Sequence, residues 1–137
     1  MANIPVGTKN EQKLLVTEDV AIDFMGVKGA RVLSTPNMIL RLEHTCRSLV
    51  QPLLDPGYDT VGTHVNVYHL AATPVGMTVS FRGEVISVEG RHVNFKIEAF
   101  DEKEQIAEGT HQRFIVNVER FAARVQEKAR QGSGQKS

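Results

Sequence analysis

One amphipathic helix followed at once by a switch to period-two alternation restricts this chain to architectures in which a helix packs on a sheet. Between Ser34 and Leu54, Pro36 suits the first helical turn and Ser34 or Thr35 can cap it. At 100° per residue, Met38, Ile39, Leu42, Cys46, Leu49, Val50 and Leu53 occupy an arc of roughly 120°, the apolar stripe of a core-facing helix of about five turns. Pro56-Gly57 ends it. From Thr60 the period falls to two, with Val61, Thr63, Val65, Val67 and His69 on one face and Gly62, His64, Asn66, Tyr68 and Leu70 on the other. We assign the first of these faces to the helix side.

Three further strands follow. Pro74 and Gly76 make a turn, Thr78 to Val88 reads as a strand, and Glu89-Gly90 forms a tight hairpin into Arg91 to Phe100. After the polar turn from Asp101 to Glu104, another long strand runs from Gln105 to Val118, and the four segments predict an antiparallel meander. Phase breaks at Val85-Ile86 and Phe114-Ile115 predict bulges that bend long strands around the helix. Lys13 to Thr17 adds an edge strand, and Glu119 to Arg130 a short final helix. The fold class expected is α+β, one long central helix wrapped by a curved antiparallel sheet. A single domain over residues 1–130 is expected, with QGSGQKS, residues 131–137, as a flexible solvated tail. An unpaired edge strand with a partly apolar flank is economically closed by a second copy, so a homodimer is the default expectation, with a tetramer as the larger alternative.

Composition narrows the function classes. The 137 residues include 41% hydrophobic and 23% charged, enough for one real core. Sixteen basic and sixteen acidic side chains cancel, which removes the electrostatic footprint of a general nucleic-acid or membrane-surface binder. The one cysteine, Cys46, cannot form an intramolecular disulfide or a zinc knuckle, and no apolar run has signal-peptide or membrane-spanning length, so a cytoplasmic location is expected. GxGxxG, GxxxxGK[ST] and GxSxG are all missing, which argues against P-loop nucleotide chemistry and against an α/β-hydrolase serine esterase.

Three residues remain as candidates for chemistry. Glu43 falls at about 140° on the helical wheel, at the margin of the apolar stripe, where a carboxylate is half-buried; the alternative is a boundary side chain reaching water. His69 lies on the helix-facing side of its strand, either as a satisfied core histidine or as a proton carrier. Thr35 is either a helix cap or a third member of the set. Eight residues at 1.5 Å rise separate Thr35 from Glu43 by about 12 Å along a continuous helix. They can share a site only if the chain bends before a later helix start or if the site draws on two subunits. His44, His64 and His92 form no pair with metal-ligand spacing, so no metal and no bound cofactor is expected. Gly57, Gly62 and Gly109 mark either close backbone approach or simple turns and bulges.

From about Val16 to Lys128 the chain resembles the fluoroacetyl-CoA thioesterase-like branch of the hot-dog fold superfamily, most specifically in VLSTPNMILRLEHTC, VGTHVNVYHLAATPVGMTV, SVEGR and EGTHQRFIVNVERFAARV. The resemblance implies a helix wrapped by an antiparallel sheet, a side-by-side dimer, and hydrolysis of an acyl-CoA thioester near the subunit interface. The spacing of Thr35, Glu43 and His69 agrees with that family's Thr/Glu/His constellation, so it selects the same three residues. On that footing His69 transfers a proton, Glu43 activates water or attacks the carbonyl, and Thr35 hydrogen-bonds or serves as nucleophile. Gly62 would offer a backbone N–H to the oxyanion, and Arg113 would orient substrate unless it is a solvated strand arginine.

The resemblance weakens where the family's fluoroacetyl-specific member carries an aromatic lid before the helix. Here the segment reads FMGVKGARVLST, with Gly26 and Gly29 at the lid positions and Phe24 as the nearby aromatic. Glycine supplies no bulk with which to grip a small fluorinated acyl group. A different or broader acyl group is therefore expected. The alternative is a hot-dog dimer that binds acyl-CoA or a small ligand without cleaving it, and hydration or dehydration of a thioester-linked chain ranks third.

Overall fold

The computed structural model describes residues 3–23, 26–27 and 29–134. In chain order the elements are β1 (Lys9–Leu15), a 3-10 turn (Glu18–Val20), β2 (Ala21–Ile22), β3 (Val32–Leu33), α1 (Thr35–Val50), a second 3-10 turn (Gln51–Leu53), β4 (Tyr58–His69), β5 (Thr78–Glu89), β6 (His92–Phe100), β7 (Gln105–Asn117) and α2 (Val118–Gly134).

Helix α1 begins where its sequence directs. Ser34 caps it in extended conformation, and its hydroxyl oxygen accepts from the Asn37 backbone N–H at 3.2 Å. Its apolar stripe buries Met38, Leu42, Cys46, Leu49 and Val50 against Val79, Phe81, Val85, Phe95 and Ile97 of the sheet. The regular helix ends at Val50, Pro52 sits in the 3-10 turn that follows, and Leu53 at the far end of the expected stripe is 37% exposed. Gly57, at φ 86°, takes the left-handed conformation that turns the chain into β4.

The five long strands form one antiparallel sheet in the order β1-β5-β6-β7-β4. This corrects the expected consecutive meander: β5, β6 and β7 follow one another, but β4 crosses over to pair with β7 and so occupies an edge. The N-terminal edge strand starts at Lys9, earlier than Lys13. A bulge between Val85 and Ser87 stands where the phase break predicts one. None occurs at Phe114-Ile115, where the register against β4 is continuous. Bulges lie instead between Ala99 and Phe100 and between Gly62 and His64.

The last of these changes which residues face the helix. Thr63 is the extra residue, so the alternation inverts there: Thr60 and Gly62 lie on the helix side before it, and Val65, Val67 and His69 after it. Val61, assigned to that side from its sequence phase, lies on the other. Helix α2 continues past Arg130 to Gly134, into the stretch read as a tail, and residues 135–137 lie outside the described residues.

Candidate active site

Helix α1 and edge strand β4 run in opposite directions, and three pairs of residues link them like rungs. Thr35 meets His69, Glu43 meets Gly62, and Arg47 meets Asp59.

At the first rung the Thr35 hydroxyl lies 2.8 Å from His69 Nδ1. Because Ser34 takes the capping role, the Thr35 hydroxyl is left for the imidazole. His69 Nε2 is enclosed and makes no hydrogen bond with the described residues. Burial pushes the His69 pKa below the ordinary histidine range, because a charged imidazolium loses hydration there. The ring is thus neutral at pH 7 and able to accept a proton from an adjacent hydroxyl or water.

At the second rung the Glu43 side chain is 35% exposed. With Leu40, His44, Arg47 and Arg113 it lines a cleft of about 200 Å³. The strand comes so close that a Cβ on Gly62 would stand 2.6 Å from Glu43 Oε2. Glycine there leaves room for the carboxylate, which any Cβ would push aside, while the backbone itself is not in the left-handed region.

Arg113 is buried, so it is not a solvated strand arginine. Its Nε donates to Thr60 Oγ1 at 2.7 Å, its Nη2 to the Thr60 carbonyl at 2.9 Å, and its Nη1 stands 3.8 Å from Glu43 Oε2. Burial lowers its pKa, and Glu43 acts against that shift, so the guanidinium is a fixed positive charge behind the carboxylate. At the third rung Arg47 Nη2 donates to Asp59 Oδ2 at 2.5 Å and Arg47 Nε to Oδ1 at 3.1 Å, which clamps α1 to the start of β4.

One chain therefore brings together Thr35 with His69, and separately Glu43 with Gly62 and Arg113. It does not join the two groups, because Thr35 and Glu43 lie on one continuous helix, eight residues or about 12 Å apart. Of the lid segment, Phe24 lies outside the described residues, while Gly26 and Gly29 adopt φ of 65° and 81°.

His111, which sequence reasoning passed over, is 2% exposed and touches Arg113. The signal was present in GTHQR: residues two apart on a strand share a face, so a His two positions before the candidate arginine belongs beside it. Among the described residues no group of three His, Cys, Asp or Glu is placed to hold a metal ion, and no helix is long and apolar enough to cross a membrane.

Comparison with known proteins bears on this geometry. The family model described as FlK: Fluoroacetyl-CoA-specific thioesterase matches residues 16–119. The fluoroacetyl-CoA thioesterase of Streptantibioticus cattleyicolor is 39% identical over 101 residues, which span 74% of this chain and 73% of that protein. Among solved structures, a mutant of the fluoroacetyl-CoA-specific thioesterase FlK superposes with a TM-score of 0.84 at 30% identity, covering 93% of this chain and 99% of that one. A hot-dog-like protein from Thermanaerovibrio acidaminovorans gives 0.82 at 26% identity, with 90% and 92% covered. A Thermus thermophilus protein described as a thioesterase superfamily member gives 0.89 at 24% identity, with 98% and 100% covered, and speaks for the fold alone.

Proposed function

The chain belongs to the fluoroacetyl-CoA-specific thioesterase family, and from that membership we propose that it hydrolyses an acyl-CoA thioester to the free acid and CoA through Thr35, His69 and Glu43. As a family member it is a thioester hydrolase of hot-dog architecture. The observation that carries the site assignment is the Thr35–His69 contact at 2.8 Å, a hydroxyl against a neutral imidazole nitrogen.

In this reading His69 moves the proton that hydrolysis requires, and Thr35 holds the ring and presents its hydroxyl to the acyl group. Glu43, faced by the buried Arg113, is the carboxylate for water activation or carbonyl attack, and Gly62, on the strand segment that passes close to Glu43, is assigned to offer its backbone N–H to the oxyanion. Water labelled with 18O separates the two roles in a single turnover. Label appearing in the Glu43 side chain shows carboxylate attack followed by hydrolysis of the mixed anhydride at the Glu43 carbonyl, whereas label confined to the product acid, with no anhydride trapped by hydroxylamine, shows attack by activated water.

A homodimer completes the site. Among the described residues edge strand β4 leaves one side unpaired, and the proposed dimer pairs two copies of it antiparallel in the register that brings the His69 end of one beside the Gly62 end of the other. Thr35 and His69 of one subunit then work with Glu43 of its neighbour, which answers the 12 Å separation within one helix. The acyl group is proposed to be broader than, or different from, fluoroacetyl. Support comes from Gly26 and Gly29, which carry no side chain to supply bulk at the lid positions. The buried free thiol of Cys46 suits the reducing cytoplasm, the compartment we propose.

Thiol release over a panel of acyl-CoAs from acetyl and fluoroacetyl to medium-chain and aryl-acetyl tests the activity. Saturable acyl-CoA binding with no release would replace hydrolysis by the ligand-holding alternative.

A further inference from the structure

We propose that His111 is a positioning residue that holds Arg113 against Glu43 through a single fixed tautomer, an assignment that rests on the proposed role of Glu43. Two contacts determine where its proton sits. Nδ1 lies 2.7 Å from the His64 carbonyl oxygen, which can only accept, so Nδ1 carries the hydrogen. Nε2 lies 3.3 Å from Arg113 Nη1, which can only donate, so Nε2 carries the lone pair.

The ring is thus neutral, with its two faces of hydrogen bonding used in opposite senses. Burial, reinforced by the neighbouring guanidinium, holds its pKa below the ordinary histidine range. A stacked contact with Phe95, ring centroids 6.0 Å apart, keeps the plane in place.

The chain of contacts joins two features of the site. His64 is the residue that follows the bulge in β4, and that bulge sets the phase that puts Gly62 under Glu43. Arg113 is anchored on its far side by Thr60. With the imidazole in this tautomer, the remaining Nη1 is oriented between His111 and Glu43. A protonated or flipped ring would present an N–H to the guanidinium and push it from this position.

Ring 15N–1H correlation spectroscopy on the full chain at neutral pH tests the tautomer without reference to activity. We expect a protonated Nδ1 and a lone-pair Nε2 on His111, and a change in the Nε2 resonance in Arg113→Met. A protonated Nε2, or an Nε2 resonance indifferent to Arg113→Met, would overturn the proposal. In thiol release, His111→Phe keeps the ring stack and is expected to lower kcat between about ten- and a hundredfold with KM within about threefold. Unchanged kcat in a folded His111→Phe protein would also overturn it. If Glu43→Gln were fully active while the tautomer stood as described, the assignment of Glu43 would fail and the His111–Arg113 contact would remain.

Discussion

The Thr35 hydroxyl and His69 Nδ1 lie 2.8 Å apart although 34 positions separate them in the chain. This proximity follows from two local choices: Ser34, one residue earlier, satisfies the start of α1, and β4 runs back along the helix so that its last residue arrives at the helix's first.

Replacing either partner should therefore affect chemistry more than stability. Thr35→Ala and His69→Ala are each expected to lower kcat by about 100- to 10,000-fold, the range for loss of positioned proton transfer. Ser34→Ala is expected to do the reverse, costing about 1 kcal/mol through the lost cap while most turnover survives. Steady-state thiol release together with thermal melts separates these outcomes, and a fully active His69→Ala protein would sink the pairing.

Two glycines should respond in opposite ways to an added methyl. At Gly62 the new carbon meets Glu43 Oε2 at 2.6 Å, the end of a movable side chain, so Gly62→Ala should displace the carboxylate and cut turnover with little loss of Tm. At Gly109 it would meet the Asn66 backbone oxygen at 2.0 Å, so Gly109→Ala must part β7 from β4 and should lower Tm markedly. Equal melting temperatures for the two variants would contradict this.

Acid should destabilise the protein in a defined window. Burial holds His69 and His111 below the 6.5 at which an unfolded histidine titrates. As pH falls through about 6.5 the unfolded chain therefore takes up protons that the folded chain refuses, and stability declines with falling pH. Asp59, held low by its hydrogen bond from Arg47, adds a separate loss of the same sign below its ordinary 3.8. Chemical denaturation between pH 7.5 and pH 5.5 checks the histidine window, and a flat or rising midpoint on acidification would refute it.

Cys46 should be silent to thiol reagents in the native state. It is fully buried beneath Gly83, and burial pushes its pKa up to about 12. An aromatic disulfide reagent is expected to label it upon unfolding, so thiol appearing in a native assay comes from CoA. Rapid native labelling would show the core to be open at α1.

The helix, its buried stripe and the four long strands are legible in sequence because each follows its own period over most of its length, bulges aside. Sheet order is not, since pairing of β4 with β7 rather than β5 is a non-local choice that alternation does not encode. Val61 falls on the wrong face because a one-residue bulge at Thr63 inverts phase without any change in composition. At the site, Thr35, Glu43 and His69 are visible singly, and the helical rise already shows that Thr35 and Glu43 cannot meet within one helix. Arg113 and His111 are harder to read, because polar residues on a strand look solvated until the helix that covers them is in place.

Subunit complementation tests the shared site most directly. His69→Ala and Glu43→Gln proteins, each folded, are mixed, allowed to exchange subunits and assayed for thiol release. In a mixed dimer one of the two sites regains both His69 and Glu43, so random exchange should restore about a quarter of wild-type turnover. No restoration from dimers shown to have exchanged would contradict a site built from Thr35 and His69 of one subunit and Glu43 of the other.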